Sequence, residues 1–472
     1  MMPLQKRRLH FMAIVCLSVT VVGQPAQGAG DLNSVTVVPD TAKLLVQTQP
    51  AKKAAQSSKT VQPAPLSKQV VEQINQLMLR GVEQHQQADY ASALKTYSEV
   101  LQLDKDYTPA YLRRGSAKWA AGDHIGAVED YSQVIERDPK NGMAYRNRGA
   151  VYTVIGKTSE ALQDYNQALE FNPKDAATFL KRGQLYSQLE QPEAAIQDYT
   201  QAIALQPDSE LAFFNRAIAQ TVLQKDDAAL LDYGRAIQLD PKYAAAYHNR
   251  GLLHHRQNKF QKALDDLSQT IRLDPQSTAA YQSRGRIYLS LQQDQAALED
   301  FSQVIALNPK SAAAYFGRGF VYSTLDNSLT NRQAAIADYT EALMLDPKYV
   351  NTYISRGNLH QRSVAYQQAL VDYSQAIEID PSSVVAYHNR ARIQATLRRR
   401  QAALDDYQQA AILYQRQGQT EEYSEMIRQI RWLRQSLGNK PEPKLQESHS
   451  PRLSPDIPLQ PSVSPLELPD IP

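Results

Sequence analysis

Cysteine is almost missing from this chain: 472 residues contain one, Cys16. It lies in an apolar stretch, residues 11–22, that follows Lys6, Arg7 and Arg8 and precedes Ala26-Gln27-Gly28. A basic start, a short apolar run and a small-x-small step are the parts of an export signal. Residues 1–28 are therefore expected to be removed, leaving a periplasmic or secreted protein that begins near Ala29. Such a chain holds no thiol, which excludes disulfides, zinc–thiolate sites and cysteine nucleophiles. Val15 stands before Cys16, where a lipoprotein signal needs a small residue, so lipidation is not expected. Long apolar runs are lacking too. Residues 11–22 fall short of the roughly 20 that span a bilayer, and retention of the segment as an N-terminal membrane anchor is the alternative.

Charge of one sign is not in excess. Lys and Arg number 51 against 49 Asp and Glu, a balance that argues against a nucleic-acid binder. Catalytic signatures are also missing: there is no Walker-type glycine loop, no GxSxG and no HExxH. His254-His255 is the only adjacent histidine pair, and with His248 it lacks a convergent third ligand for a metal. No cofactor, no metal site and no enzymatic activity are expected.

What the chain does contain is repetition. In residues 142–175, Tyr145, Gly149 and Tyr152 lie three and four apart, and so do Ala161, Tyr165 and Ala168. That spacing puts each set on one face of a helix. Asn172-Pro173 closes the second helix, because the residue before a proline is pushed out of the helical region. The small position recurs at Gly81, Gly115, Gly149, Gly183, Ala217, Gly251, Gly285, Gly319, Gly357 and Ala391. The second-helix alanine recurs in step, from Ala93 and Ala127 to Ala369 and Ala403. Ten units follow, starting at 74, 108, 142, 176, 210, 244, 278, 312, 350 and 384, the eighth longer by four residues in the turn between its helices.

A period of 34 residues with an aromatic, glycine, tyrosine, alanine and proline at fixed offsets resembles the tetratricopeptide repeat, a helix-turn-helix unit. The resemblance implies an all-α fold, an alpha-solenoid coiled as a right-handed superhelix, with the first helices lining its concave face. One hairpin cannot bury its own apolar face, but stacked neighbours can. The array is expected over 67–417. A disordered tether (29–66) precedes it, a capping helix (418–437) follows, and a Pro- and Ser-rich tail (438–472) ends the chain.

Every unit carries Arg before its small position, from Arg80 and Arg114 to Arg356 and Arg390. Nine units also carry Asp before the second-helix aromatic, Thr96 being the exception. Two readings stand: a ladder of arginines for a polyanion, or repeated structural ion pairs such as Arg148 with Asp164 and Arg182 with Asp198. Joint occurrence in nine units favours the pairs.

In the family the groove is built from the second, fifth, ninth, twelfth and thirteenth positions of each unit. Here those positions hold no Asp and no Glu. They do hold Arg146, Phe214, Ile218, His248, Arg256, Arg286, Phe316, Phe320, Arg362 and Arg392. The resemblance therefore implies a basic, apolar groove for extended acidic or apolar segments of partner proteins. The carboxylate clamp of heat-shock-binding arrays is only half met. Asn147, Asn215, Asn249 and Asn389 occupy its asparagine position, whereas its lysines are missing. The expected function is a non-enzymatic protein-interaction scaffold. The alternatives are a self-associating structural protein and an accessory subunit that recruits an enzyme.

Overall fold

The computed structural model describes residues 66–325 and 328–436. The expected signal, almost all of the tether and the tail lie outside the described residues, as does Leu437 of the expected cap. Among the described residues the protein is all-helical, and none of its helices is long and apolar enough to cross a membrane. The chain divides into two compact units, one ending at Pro241 and the other beginning at Lys242.

The first unit holds α1 (Lys68–Gln86), α2 (Tyr90–Leu103), α3 (Thr108–Ala120), α4 (His124–Arg137), α5 (Gly142–Val154), α6 (Thr158–Phe171), α7 (Ala176–Gln188), α8 (Pro192–Leu205), α9 (Glu210–Val222) and α10 (Asp226–Leu239). The second holds α11 (Ala244–Arg256), α12 (Phe260–Leu273), α13 (Thr278–Ser290), α14 (Asp294–Leu307), α15 (Ala312–Leu325), α16 (Leu329–Leu345), α17 (Val350–Arg362), α18 (Tyr366–Ile379), α19 (Val384–Thr396), α20 (Arg400–Arg416) and α21 (Thr420–Ser436). Odd and even helices up to α20 pair as antiparallel hairpins, and within each unit every hairpin packs on the next. This is an alpha-solenoid.

Two kinds of turn make the hairpins. Between the first helix (A) and the second (B), the chain closes a Schellman motif. In the first hairpin Asp89 N–H donates to the Gln84 carbonyl and Ala88 N–H to that of His85. Asp89 then caps α2, its carboxylate accepting from Ser92 N–H at 3.1 Å. The residue before the cap must be left-handed. It is Gly122 or Gly156 in two hairpins, but Ala88, Glu190, Gln224, Asn258, Gln292, Val364 and Arg398 in others, all with φ between 55° and 58°. From B to the next A most turns are built on an Asx residue followed by proline, the exceptions being Asp104-Lys105 and Gln206-Pro207. Asp138 Oδ1 accepts from Lys140 N–H at 3.3 Å, and Asn308 Oδ1 from Lys310 N–H at 3.1 Å.

Packing explains the small position. A Cβ at Gly183 would fall 2.8 Å from Cε1 of Tyr199, so the tyrosine ring fills the space a side chain would take. Tyr97, Tyr131, Tyr165, Tyr199, Tyr233, Tyr339 and Tyr373 are all fully buried in this way. Several of their hydroxyls meet a polar group of the A helix, as Tyr131 does with Ser116 at 3.1 Å and Tyr373 with Asn358 at 2.7 Å.

The α21 helix covers the last hairpin. Met426, Ile430 and Leu433 are buried against Tyr407 and Tyr414 of α20, while Trp432 stays 47% exposed. The insertion in the eighth unit lengthens its B helix: α16 has 17 residues where α14 and α18 have 14.

Candidate functional site

The repeated arginine is engaged on several sides. Arg148 Nε and Nη2 each donate to Asp164 at 2.8 Å, across one hairpin. Its Nη1 donates to the Ser132 hydroxyl of the preceding B helix at 3.0 Å. The guanidinium also lies over the rings of Tyr145 and Tyr152. Arg182 does the same with Asp198 and Asn166. In the eighth unit the pair is Arg318 with Asp338, so the four-residue insertion leaves the rung intact. Each rung with this third bond joins two successive hairpins; Arg250, with Gly234 at that place, pairs with Asp266 inside its own hairpin. These guanidiniums are therefore not a row of open cations, and the polyanion-ladder reading is corrected. Arg80 differs: it is exposed, and Thr96, in the aspartate's place, donates to Gln84 at 2.7 Å.

The residues expected in a groove divide into three groups. Phe214, Ile218 and Phe320 are half-buried on α9 and α15, with the Phe214 ring 5.9 Å from that of Tyr233. Arg256 and Arg362 are exposed at the ends of α11 and α17. Arg286 and Arg392 are half-buried; the positive charge of Arg286 acts on the Tyr349 hydroxyl, and that of Arg392 on His388.

Two expectations are corrected. Phe316 is fully buried, not in a groove: its ring is 4.9 Å from Tyr349, 5.6 Å from Tyr339 and 6.4 Å from Phe320. Tyr349, in the turn after α16, covers it. Arg146 is not an open groove cation, because its Nη1 donates to Asp175 at 3.0 Å, a carboxylate from the turn before α7. His248 is half-buried, and burial lowers its pKa to about 4. It therefore sits on α11 as a neutral ring, with Nε2 buried and without a hydrogen-bond partner.

Sequence reasoning missed a polar cluster on α17 and α19. Asn389, 1% exposed, donates from Nδ2 to Asn358 Oδ1 at 3.0 Å. That same oxygen accepts from Tyr373, and Asn389 Oδ1 is left without a partner. Its sixth-position asparagine was legible; the partner 31 residues away was not.

His388 lies beside this cluster. Its ring packs against Tyr407 and Tyr414, and Nδ1 is 3.4 Å from the Tyr414 hydroxyl. Arg392 from its own helix and Glu425 from α21 supply the nearby charges. Burial first, and then Arg392, lower its pKa to about 4. The group is held neutral in the fold, so the unfolded chain binds the proton more readily. Stability is full above the unfolded value of 6.5 and falls as pH drops from there towards 4. The loss expected over that window is about 3 kcal/mol from this residue. His388→Leu should flatten the slope in chemical denaturation at pH 7 and pH 4.5; equal slopes would remove the assignment.

Sequence models of the tetratricopeptide repeat match residues 108–141, 143–175, 176–209 and 244–277. A further TPR-repeat model matches 223–258 and 285–326. Comparison with curated proteins finds no match. Among solved structures, MamA is 27% identical over 35% of this chain and 96% of its own, with a TM-score of 0.34. YrrB, described as a TPR protein with an unusual peptide-binding site, is 23% identical over 40% of this chain and 97% of its own, TM-score 0.36. A tetratricopeptide repeat protein from Parabacteroides merdae is 21% identical over 53% of this chain and 99% of its own, TM-score 0.40. The matched segments fall on the helical hairpins described above, and the chain carries an array of tetratricopeptide repeats.

Proposed function

We propose that the protein is a non-enzymatic scaffold whose A helices hold extended, acidic and apolar segments of partner proteins. Tetratricopeptide arrays are interaction scaffolds that present an extended surface. The observation that carries the finer reading is a sorting of charge. Nine aspartates of the B helices are paired with the repeated arginines. The groove positions of the A helices hold arginine and histidine and no carboxylate. A segment lying there meets Arg256 and Arg286 beside half-buried apolar side chains, which suits alternating acidic and apolar residues.

Peptide display against the full chain tests this. The selected peptides should be rich in Asp, Glu and large apolar residues. Arg256→Glu with Arg286→Glu should weaken them at least about tenfold by losing charge complementarity, with far-UV circular dichroism used to check that the helices are kept. Peptides without acidic enrichment, or affinities unmoved by the double change, would sink the reading.

A further inference from the structure

The start of α16 and the A-to-B turns of the ninth and tenth hairpins form a continuous edge. Arg332 at the start of α16 donates to the Ser363 hydroxyl after α17 at 3.4 Å. Arg399 before α20 donates to Gln367 at the start of α18 at 3.4 Å. These two bonds bring the three segments side by side. The edge is strongly basic. Arg362, Arg398, Arg399 and Arg400 are exposed on it, and residues 328–334, 360–368 and 396–402 contain no Asp or Glu. Acids flank these windows at Asp326, Asp338, Asp372 and Asp405; Asp338 and Asp372 pair with Arg318 and Arg356, and Asp405 accepts from Gln401 within α20 at 2.8 Å.

Two features of this edge run against local preference. Three consecutive arginines surround the N-terminus of α20, where the helix dipole disfavours cations, and Arg399 caps it without a side-chain bond. Val364 is left-handed at φ 58°, a conformation that a β-branched residue adopts only at a steric cost. Glycine fills the same place at Gly122 and Gly156. Local rules are broken where another use is made of the side chains. Here the side chains so placed are cations and solitary aliphatics: Val364 is 67% exposed and Leu329, on the extra turn of α16, is 65% exposed.

We propose that this edge docks on an anionic phospholipid surface. Single aliphatic side chains at the tips of turns, level with arginines, can enter the headgroup layer while the guanidiniums meet lipid phosphates. An acidic protein helix would require a concave apolar groove, and the tips of turns do not supply one. The proposal concerns the A-to-B turns rather than the face of the A helices, shares only Arg362 with the expected groove, and stands without the peptide-binding reading.

Vesicle co-sedimentation of the full chain tests it, because residues 1–65 are then the same in every variant. On phosphatidylcholine vesicles containing a quarter phosphatidylglycerol, Arg398→Glu/Arg399→Glu/Arg400→Glu should bind on the order of a hundredfold more weakly, each cation contributing about fivefold. Raised salt should weaken the unchanged protein in the same direction. Val364→Gly separates docking from folding, since it should raise the apparent melting temperature by about 3 °C while lowering vesicle binding severalfold. Undiminished binding by the triple variant overturns the proposal, and so does equal binding to pure phosphatidylcholine. Tighter binding to polyglutamate than to vesicles of equal charge assigns the edge to an acidic polypeptide and also overturns it.

Discussion

Replacing Asp164 with Ala is expected to destabilise the first unit by about 3–5 kcal/mol, and adding Arg148→Met to recover most of that loss. Asp164 has 6% and Arg148 19% of its side chain exposed, so removing the carboxylate strands a largely buried guanidinium. Its bonds to Ser132 and its place over two tyrosine rings hold it there. Both partners titrate above their ordinary values, for different reasons. Burial lifts the Asp164 carboxyl above its ordinary value, outweighing the hydrogen bond and charge of Arg148. Arg148 is raised chiefly by its hydrogen bond to Asp164, which outweighs its own burial. A rung so balanced adds little beyond an apolar pair of the same size, yet breaking one side of it is costly. Urea unfolding followed by circular dichroism would measure both chains. A single change costing under about 1 kcal/mol would show the rung to be an ordinary surface pair. A double change no better than the single one would show that the stranded charge is not the source of the loss.

Phe316→Ala should cost the second unit about 3–5 kcal/mol and leave the affinity of groove-selected peptides unchanged. The ring has no exposed surface and touches Tyr349, Tyr339 and Phe320. Truncation opens a cavity between two successive hairpins, where a stack has no other layer to close it. Denaturation of the full chain, with peptide binding measured in parallel, checks both halves. A variant as stable as the parent but weak in peptide binding would return Phe316 to the groove.

The period of 34 made the hairpins, the buried tyrosines and the Arg–Asp pairs legible before any coordinates, because each follows from residues at fixed offsets within one unit or its neighbour. Position within a repeat was a poorer guide to exposure. Phe214 and Phe316 share the fifth position, yet Phe214 is half-exposed and Phe316 is sealed. Around Phe316 the rings of Phe320, Tyr339 and Tyr349, the last 33 residues further on, close the site. Arg146 likewise loses its open charge to Asp175, a turn residue outside the helix that carries the arginine. The basic edge could not be read in advance for a related reason. Arg398, Arg399 and Arg400 are a short charge run, ordinary until hydrogen bonds from Arg332 and Arg399 align the neighbouring turns. Left-handed turns filled by valine, glutamine or arginine carry no glycine to mark them.

The rungs also bear on how such a chain can change length. Most of these arginines take an aspartate from their own hairpin and a side-chain oxygen from the hairpin before. Arg216, for example, bonds Asp232 and Thr200. Excision of residues 176–209 would remove Thr200 but present Asn166, which already serves Arg182 in the same role. A hairpin is in this sense an interchangeable part with a standard fitting at both ends. Loss of a hairpin leaves the remaining fittings matched wherever the hairpin before it carries such an oxygen, as all but the one with Gly234 do, so the array's length can drift over evolution while most of its joints stay the same.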